Sequence, residues 1–546
     1  MREGKAAFWS RLLSGRGTAG IGAGLFITAA LGLWHGLDVR EGIAQTGRSW
    51  LYGWYGLAFF WGILSLAALG AMVLRRKNWR PARFFAAASL SLGVLFMGVL
   101  VPLSAPDEVS HYISAYQVAN QLLGRKAADE EGRVYIRAQD AWVEDMEDVL
   151  ADDGSGARSG KPAEILGQTV DQDTYAVFHN GGAGKGGEGL AVSYQPAVRT
   201  TPLAYVPQAL GLALGQLLGL GSIGLLFMGR AFNLAFYTLM GFLSIRRTPF
   251  GKEVFAGAGL LPMSLHLAAS MSYDVMILAM SGYFLAVCLD LAYAAKRVRA
   301  ADILVLALTL AVMGPCKMVY GVIAGFCLLI PVKKFGGWGK WAAGAACVLG
   351  AFGAAMFLVN RQTVALYTGI TDRYVTWAQE PGYSFAELLH SPLKVLRLCY
   401  NTLAVQGEQL FGGMIGENLG NMDPVLNIPF PVVLALGACL VVLALKKPGE
   451  ALYISLGQKA WIWFLCACCL GALMFSMLLA WTPVSAATVQ GVQGRYLLPL
   501  LPALLLTVKN GRVVRTGGGD WWILFGMACM DVYGILRIFG IVCMRV

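Results

Sequence analysis

Long apolar runs alternate with short polar breaks along almost the whole chain. A bilayer core takes about 20 apolar residues per helix. The runs predict spans at 20–37, 53–74, 84–104, 225–245, 253–271, 274–294, 300–315, 317–332, 339–360, 427–445, 460–481, 493–508 and 520–543. The pair 300–315 and 317–332 is short, which predicts tilted or incomplete crossing. One further run, 203–220 ("LAYVPQALGLALGQLLGL"), is also apolar enough to cross. It is assigned to the outer interface or the side of the bundle instead, because an extra span there would reverse the side of the "RRTPFGK" loop.

The breaks carry the sign pattern that orients the spans. Arg2, Lys5, Arg11 and Arg16 precede the first run, and "RRKNWRPAR" occupies 75–83. "RRTPFGK" at 246–252, "KRVR" at 296–299, "KK" at 333–334 and 446–447, and "KNGRVVR" at 509–515 follow. With a cytoplasmic N-terminus and alternating spans, all of these fall on one side, as cytoplasmic loops do. No cleavable signal peptide is evident, so the first run reads as a retained span. Two large segments, 105–202 and 361–426, then face outward.

Composition narrows the class. Of 546 residues, 57% are hydrophobic and only 14% charged, with a mean hydropathy of +0.59. Soluble proteins carry about a quarter charged residues. The expected fold is all-α: a polytopic integral membrane protein of about 13 transmembrane helices. The net charge of +11 is accounted for by the short loops, so it does not call for nucleic acid. Most of the 11 cysteines sit in apolar runs. Cys466, Cys468 and Cys469 in "WFLCACCLG" lack a partner cluster or a nearby histidine, which favours packing over metal. The tract "GGAGKGGEG" at 181–189 is no phosphate-binding loop, since His179 stands where a glycine is required and Gly186 where Ser or Thr is required. It reads as a linker beside the acidic "DMEDVLADDGSG".

Candidate chemistry gathers where spans meet water. In "VPLSAPDEVSHYISAYQ", Asp107 and His111 are four apart on a helix and Glu108 and His111 three apart, so they can share a face. A carboxylate at such a boundary suits general-base work. Helix capping after Pro106 explains the acids equally well. Ser272, Tyr273 and Asp274 lie at another outer junction, where capping again suffices. Lys317 in "VMGPCKMVYG" is either a snorkelling lysine or a partner for an anionic head group. Arg495 and Tyr496 in "GVQGRYLLPLLP", after Gln493, read as an interface anchor or as a phosphate site, because arginine grips phosphate bidentately. Arg230 in "MGRAFNL" reads likewise. His266 is expected to be a hydrogen-bonded helix residue. Acids that activate a hydroxyl, with cations that hold a lipid phosphate, are what a lipid-phosphate-dependent transferase requires. Charged positions mid-span, broken helices in matching halves and an internal repeat would instead mark a transporter, and none is apparent.

These motifs resemble a bacterial membrane family, domain-of-unknown-function family 2142. "PDEVSHYISAYQVANQLLG" is similar to its "PDEPAH-x-x-RAY" opening, with Val109 in place of the second proline. "MGRAFNLAFYTLMGFLSIRRTPFGKEVFAGAGLLPMSLHLAASMSYD" matches its arginine–asparagine span, "TPFGK" loop and "AAS-x-SYD" element, and "GVQGRYLLPLLPALLL" continues the likeness. Together they cover 85 to 510. The organisation expected is a two-helix addition at 1–83, a core at 84–510 and a last helix at 511–546. The family looks like a branch of the GT-C integral-membrane glycosyltransferases. That resemblance implies a large first outer loop with a juxtamembrane helix, an acidic base in that loop, and a polyprenyl-phosphate sugar donor. Carried over, Asp107 takes the base role, with Glu108 as the other candidate and His111 in support. Arg495, Lys317 and Arg230 hold the donor phosphate, and Tyr496, Tyr273, Asp274 and Gln493 contact substrate. A divalent cation such as Mg2+ or Mn2+, if used, falls to Asp107, Glu108 and His111. The partners implied are the donor, a glycan or lipid-linked acceptor, and the bilayer, in a bacterial cytoplasmic membrane with the site on the outer face. The alternatives are a flippase for a lipid-linked sugar and a non-catalytic scaffold in envelope polysaccharide assembly.

Overall fold

A computed structural model describes residues 16–75, 80–145, 170–182, 187, 189–369, 373–451, 453–515, 517 and 519–545. Most of the first basic segment, of "DMEDVLADDGSG" and of the 181–189 glycine tract lies outside the described residues.

The chain is an all-α polytopic membrane protein. Its elements run α1 Arg16–Thr46, α2 Trp50–Leu74, α3 Pro81–Val99, α4 Glu108–Leu122, β1 Arg133–Arg137, α5 Gln172–His179, β2 Leu190–Pro196, α6 Val206–Leu217 and α7 Ser222–Arg247. Then come α8 Lys252–Gly259, α9 Pro262–Ala268, α10 Asp274–Tyr293, α11 Ala300–Cys316, a 3-10 helix Met318–Leu329 and α12 Trp338–Gly369. The short strands β3 Tyr374–Val375 and β4 Glu380–Pro381 follow, then α13 Phe385–His390, α14 Pro392–Ile415, α15 Phe430–Ala444, α16 Leu456–Ala480, α17 Leu501–Val508 and α18 Asp520–Met544. Among the described residues, 8 helices are long and apolar enough to cross a bilayer: α1, α2, α3, α7, α10, α12, α16 and α18. Three shorter apolar ones, α11, the 3-10 helix and α15, join them.

Two expected spans are broken. The run 253–271 divides into α8 and α9 because Pro262 cannot continue the first helix. The carbonyls freed there find donors: Ser264 Oγ donates to Ala258 O (3.0 Å) and Tyr237 OH to Gly259 O (2.9 Å). Such local repair is what lets a helix break survive at membrane depth. The run 493–508 divides into a 3-10 turn, Gly494–Leu497, and α17.

The short run 317–332 solves its length problem another way. Twelve of its residues, Met318–Leu329, form a 3-10 helix, which rises about 2.0 Å per residue and so spans about 24 Å. An α-helix of the same length would span about 18 Å.

The described parts of segment 105–202 lie over one end of the bundle. Its β1 and β2 pair antiparallel, and α6 packs on α4 and α7. Leu210, Leu214 and Leu217 of α6 and the adjoining Leu218 stay exposed, as an interfacial helix requires. The terminal helices pack on each other. A Cβ at Gly42 of α1 would fall 2.0 Å from the Cys543 carbonyl of α18, the close approach that small residues permit between membrane helices. The basic loops meet at the opposite end of the bundle: Val298 N bonds Lys334 O (2.9 Å), Arg247 pairs with Asp302 (3.0 Å), and Lys447 pairs with Glu253 (3.1 Å).

Candidate functional site

The turn 100–108 carries the first two acids, and they have opposite surroundings. Glu108 opens α4 and is fully buried. Its Oε1 accepts from Arg230 Nε (2.7 Å) and Met271 N (2.9 Å), and its Oε2 from Arg230 Nη2 (2.6 Å) and Ala105 N (3.0 Å). Arg230 also donates to the carbonyls of Leu100 (2.6 Å) and Val101 (2.8 Å). Burial alone would raise the Glu108 pKa; the charge and bonds of Arg230 and the two backbone donors outweigh it and hold the group below the usual glutamate value. This closed pair differs from the open base and phosphate ligand that the sequence leads one to expect. Each carboxylate oxygen and each guanidinium nitrogen of the pair already has a partner, and in this arrangement the two clamp the turn.

Asp107 is what the clamped turn presents. It stands at the N-cap position of α4 without a side-chain capping bond, in the left-handed region at φ 58° and ψ 19°, and its side chain is 40% exposed. Aspartate tolerates that backbone better than most residues, yet the conformation still costs on the order of 1–3 kcal/mol. The clamp at Leu100, Val101 and Ala105 holds it in place. Its carboxylate faces Arg495 Nη2 at 3.6 Å.

Arg495 is buried like Arg230 but is not used up. Its Nε lies 3.3 Å from Asp274 Oδ2, yet is not aligned to hydrogen bond. Asp274, at the start of α10, is bonded by Lys317 Nζ at 2.6 Å. Lys317 lies over the Tyr496 ring at 4.0 Å and near the Tyr273 ring at 5.4 Å. Asp107, Arg495, Asp274 and Lys317 therefore form one chain of alternating charge, floored by two tyrosines. Beside it Gln493 keeps a buried Oε1 with no partner. Gly494 is what lets this strand of backbone sit so deep: a Cβ there would lie 2.2 Å from Leu410 O and 2.3 Å from Met414 N of α14.

His111 lies under the cluster. Its Nδ1 is 2.9 Å from Tyr205 OH, and its ring stands edge-on to Tyr273 at 5.1 Å. Burial, helped by Arg495 and Lys317 against Asp107 and Asp274, pushes its pKa down to about 4. The folded state thus favours neutral imidazole while the unfolded chain takes a proton near pH 6.5. The stability this contributes is complete above about pH 6.5 and drains away as pH falls toward 4, by roughly 3 kcal/mol. A pH series of thermal unfolding should show that loss in the native chain and a visibly flatter profile in His111→Gln.

The donor set does not fit a cation on Asp107, Glu108 and His111. The Glu108 oxygens are spent on Arg230 and backbone, and His111 Nδ1 faces Tyr205. No group of three His, Cys, Asp or Glu suited to a metal occurs among the described residues.

Three positioning residues carried no site role in the sequence reading. Asn233 Nδ2 donates to Ser270 O (2.7 Å) and Ser272 O (3.2 Å), and Gln208 Nε2 to Met271 O and Ser272 O (3.2 Å each). They satisfy the irregular backbone that leads into Asp274. Tyr205 holds His111. Asn233 left a signal: it lies one turn from Arg230 inside an apolar run, where two strongly polar side chains on one face are costly.

Fold and site together define a polytopic membrane protein with a charged cluster where irregular segments meet the helix ends. The family described as "Predicted membrane protein (DUF2142)" matches residues 90–504. The chain belongs to that family. The first two helices and the last fall outside the match. No curated protein and no solved structure shows a match to this chain.

Proposed function

We propose that this protein is a membrane glycosyltransferase. It moves a sugar from a polyprenyl-phosphate donor to an envelope glycan or lipid-linked acceptor at the outer face of a bacterial cytoplasmic membrane, with its N-terminus cytoplasmic. One observation carries the reading: a half-exposed carboxylate, Asp107, faces an arginine whose guanidinium is buried but has donors to spare. Asp107 takes the proton of the acceptor hydroxyl, whose oxygen attacks the anomeric carbon. The bond from that carbon to the phosphate oxygen breaks, and the polyprenyl phosphate leaves with the electron pair. Arg495 and Lys317 hold the charge that develops on it. Tyr496, Tyr273, Asp274 and Gln493 shape the pocket.

The competing reading is a flippase. It is favoured by the helix breaks at Pro262 and after Leu497, and by Asp531, a carboxylate within α18 whose two oxygens are buried with no partner. A third reading is a scaffold. Reconstituted protein supplied with a radiolabelled polyprenyl-phosphate sugar separates them. Transfer of label to acceptor supports the enzyme; label that crosses the bilayer untransferred supports the flippase; neither supports the scaffold. In the enzyme, Arg495→Gln should lower transfer about 10²-fold, as loss of one charge-stabilising donor does, while the protein stays folded.

A further inference from the structure

The end of the bundle opposite Asp107 holds a cavity of about 500 Å³. Arg80 and Arg83 at the start of α3, Arg246 at the end of α7, and Lys252 at the start of α8 line it. Four cations from three segments thus meet at one hollow, and no acid is among its lining residues. Among the described residues none of the four forms an ion pair. Arg246 stands over the Phe242 ring at 5.5 Å, and both side chains line the hollow.

The charged residues next to them in the chain are paired instead. The adjacent Arg247 pairs with Asp290 at 2.7 Å and Asp302 at 3.0 Å. Glu253, next to Lys252, turns to Lys447 at 3.1 Å. The acids of this end are therefore spent on neighbouring cations, and the four around the hollow are left uncompensated. The N-terminus of α3 adds its positive dipole end, and its N-cap, Arg80, makes no side-chain cap. The 19 residues of α3 put the hollow about 28 Å from the turn that carries Asp107. That is close to one hydrocarbon thickness, so the hollow lies at the level of the head groups of the other leaflet.

The geometry points to a second anion site: this hollow binds a phosphate group. Its source is either the head group of an anionic phospholipid or a free phosphate. The inference does not depend on the transferase reading. The full chain is placed in phosphatidylcholine nanodiscs, with or without a minor fraction of phosphatidylglycerol, and released lipids are counted by native mass spectrometry. In a second arm, inorganic phosphate is added to the pure phosphatidylcholine discs and thermal stability is followed. The native chain should retain phosphatidylglycerol, gain stability from phosphate, or both. Arg83→Gln with Arg246→Gln should weaken that response about fivefold for each cation removed. Arg83→Lys with Arg246→Lys should keep most of it. Lys296→Gln with Arg297→Gln, the same charge change at exposed positions of the same end that do not line the hollow, should leave it intact. Response to phosphatidylglycerol alone assigns the site to lipid, and response to phosphate alone to a soluble anion. An equal response in the native chain and the Arg83→Gln/Arg246→Gln variant, or an equal loss in the Lys296/Arg297 control, overturns the site.

Discussion

Asp107→Asn is expected to cut sugar transfer by about 10²–10⁴-fold, the usual worth of a general base, with little change in stability. The choice of Asn matters. Asparagine accepts the left-handed backbone of position 107 almost as readily as aspartate, so the turn keeps its shape. Alanine would add backbone strain and blur the result. The side chain is 40% exposed, so the lost charge leaves no buried orphan, and Arg495 still faces Asp274 at 3.3 Å. The measurement is a rate of label transfer at saturating donor, beside a thermal unfolding curve. A fall in kcat with an unchanged KM for the donor fits a base that acts on the acceptor. Full activity in Asp107→Asn rules out the base role, whatever else the cluster does.

Hydropathy alone locates nearly all of the membrane segments, because each must offer the lipid an apolar surface over a fixed length. It fails at breaks. In "AGLLPMSLHLAAS" the apolar run is continuous, and a window average passes over Pro262. Whether the break is tolerated depends on Ser264 and on Tyr237 from a different helix, which no local pattern reveals. The 3-10 winding of 318–329 is hidden for the same reason: its composition suits either helix. At the site, Asp107, Lys317, Asp274, Tyr273, Tyr496 and Arg495 stand out as polar residues at span ends, and the fold does gather them. Their pairing was not legible. Arg230 and Arg495 look alike in sequence, each a lone arginine after a glycine. Only the fold gives one a carboxylate and two carbonyls and leaves the other with a buried, unpartnered Nε.

That difference makes the Glu108–Arg230 pair a test of architecture. Glu108→Gln is expected to destabilise the folded protein by about 3–5 kcal/mol, because it leaves a buried guanidinium without its counter-charge. Arg230→Gln should cost a similar amount by stranding the carboxylate, and Arg230→Lys nearly as much, since an ammonium lacks the fork that bridges both Glu108 oxygens and two carbonyls. The double variant Glu108→Gln/Arg230→Gln should cost clearly less than the sum of the two, which a double-mutant cycle reads directly. The pH dependence has a definite sign. The Glu108 pKa is lowered in the folded state, so its contribution is complete above about pH 4.5 and disappears as pH falls through the folded value. The loss should be missing from Glu108→Gln. Activity separates this role from catalysis. A base at position 108 would give a stable, inactive Glu108→Gln protein. A clamp gives an unstable one whose remaining folded fraction is expected to transfer sugar at a reduced rate, because Arg230 loses its counter-charge and the Ala105 and Met271 amides lose their carboxylate acceptor, so Asp107 is aimed less firmly at Arg495.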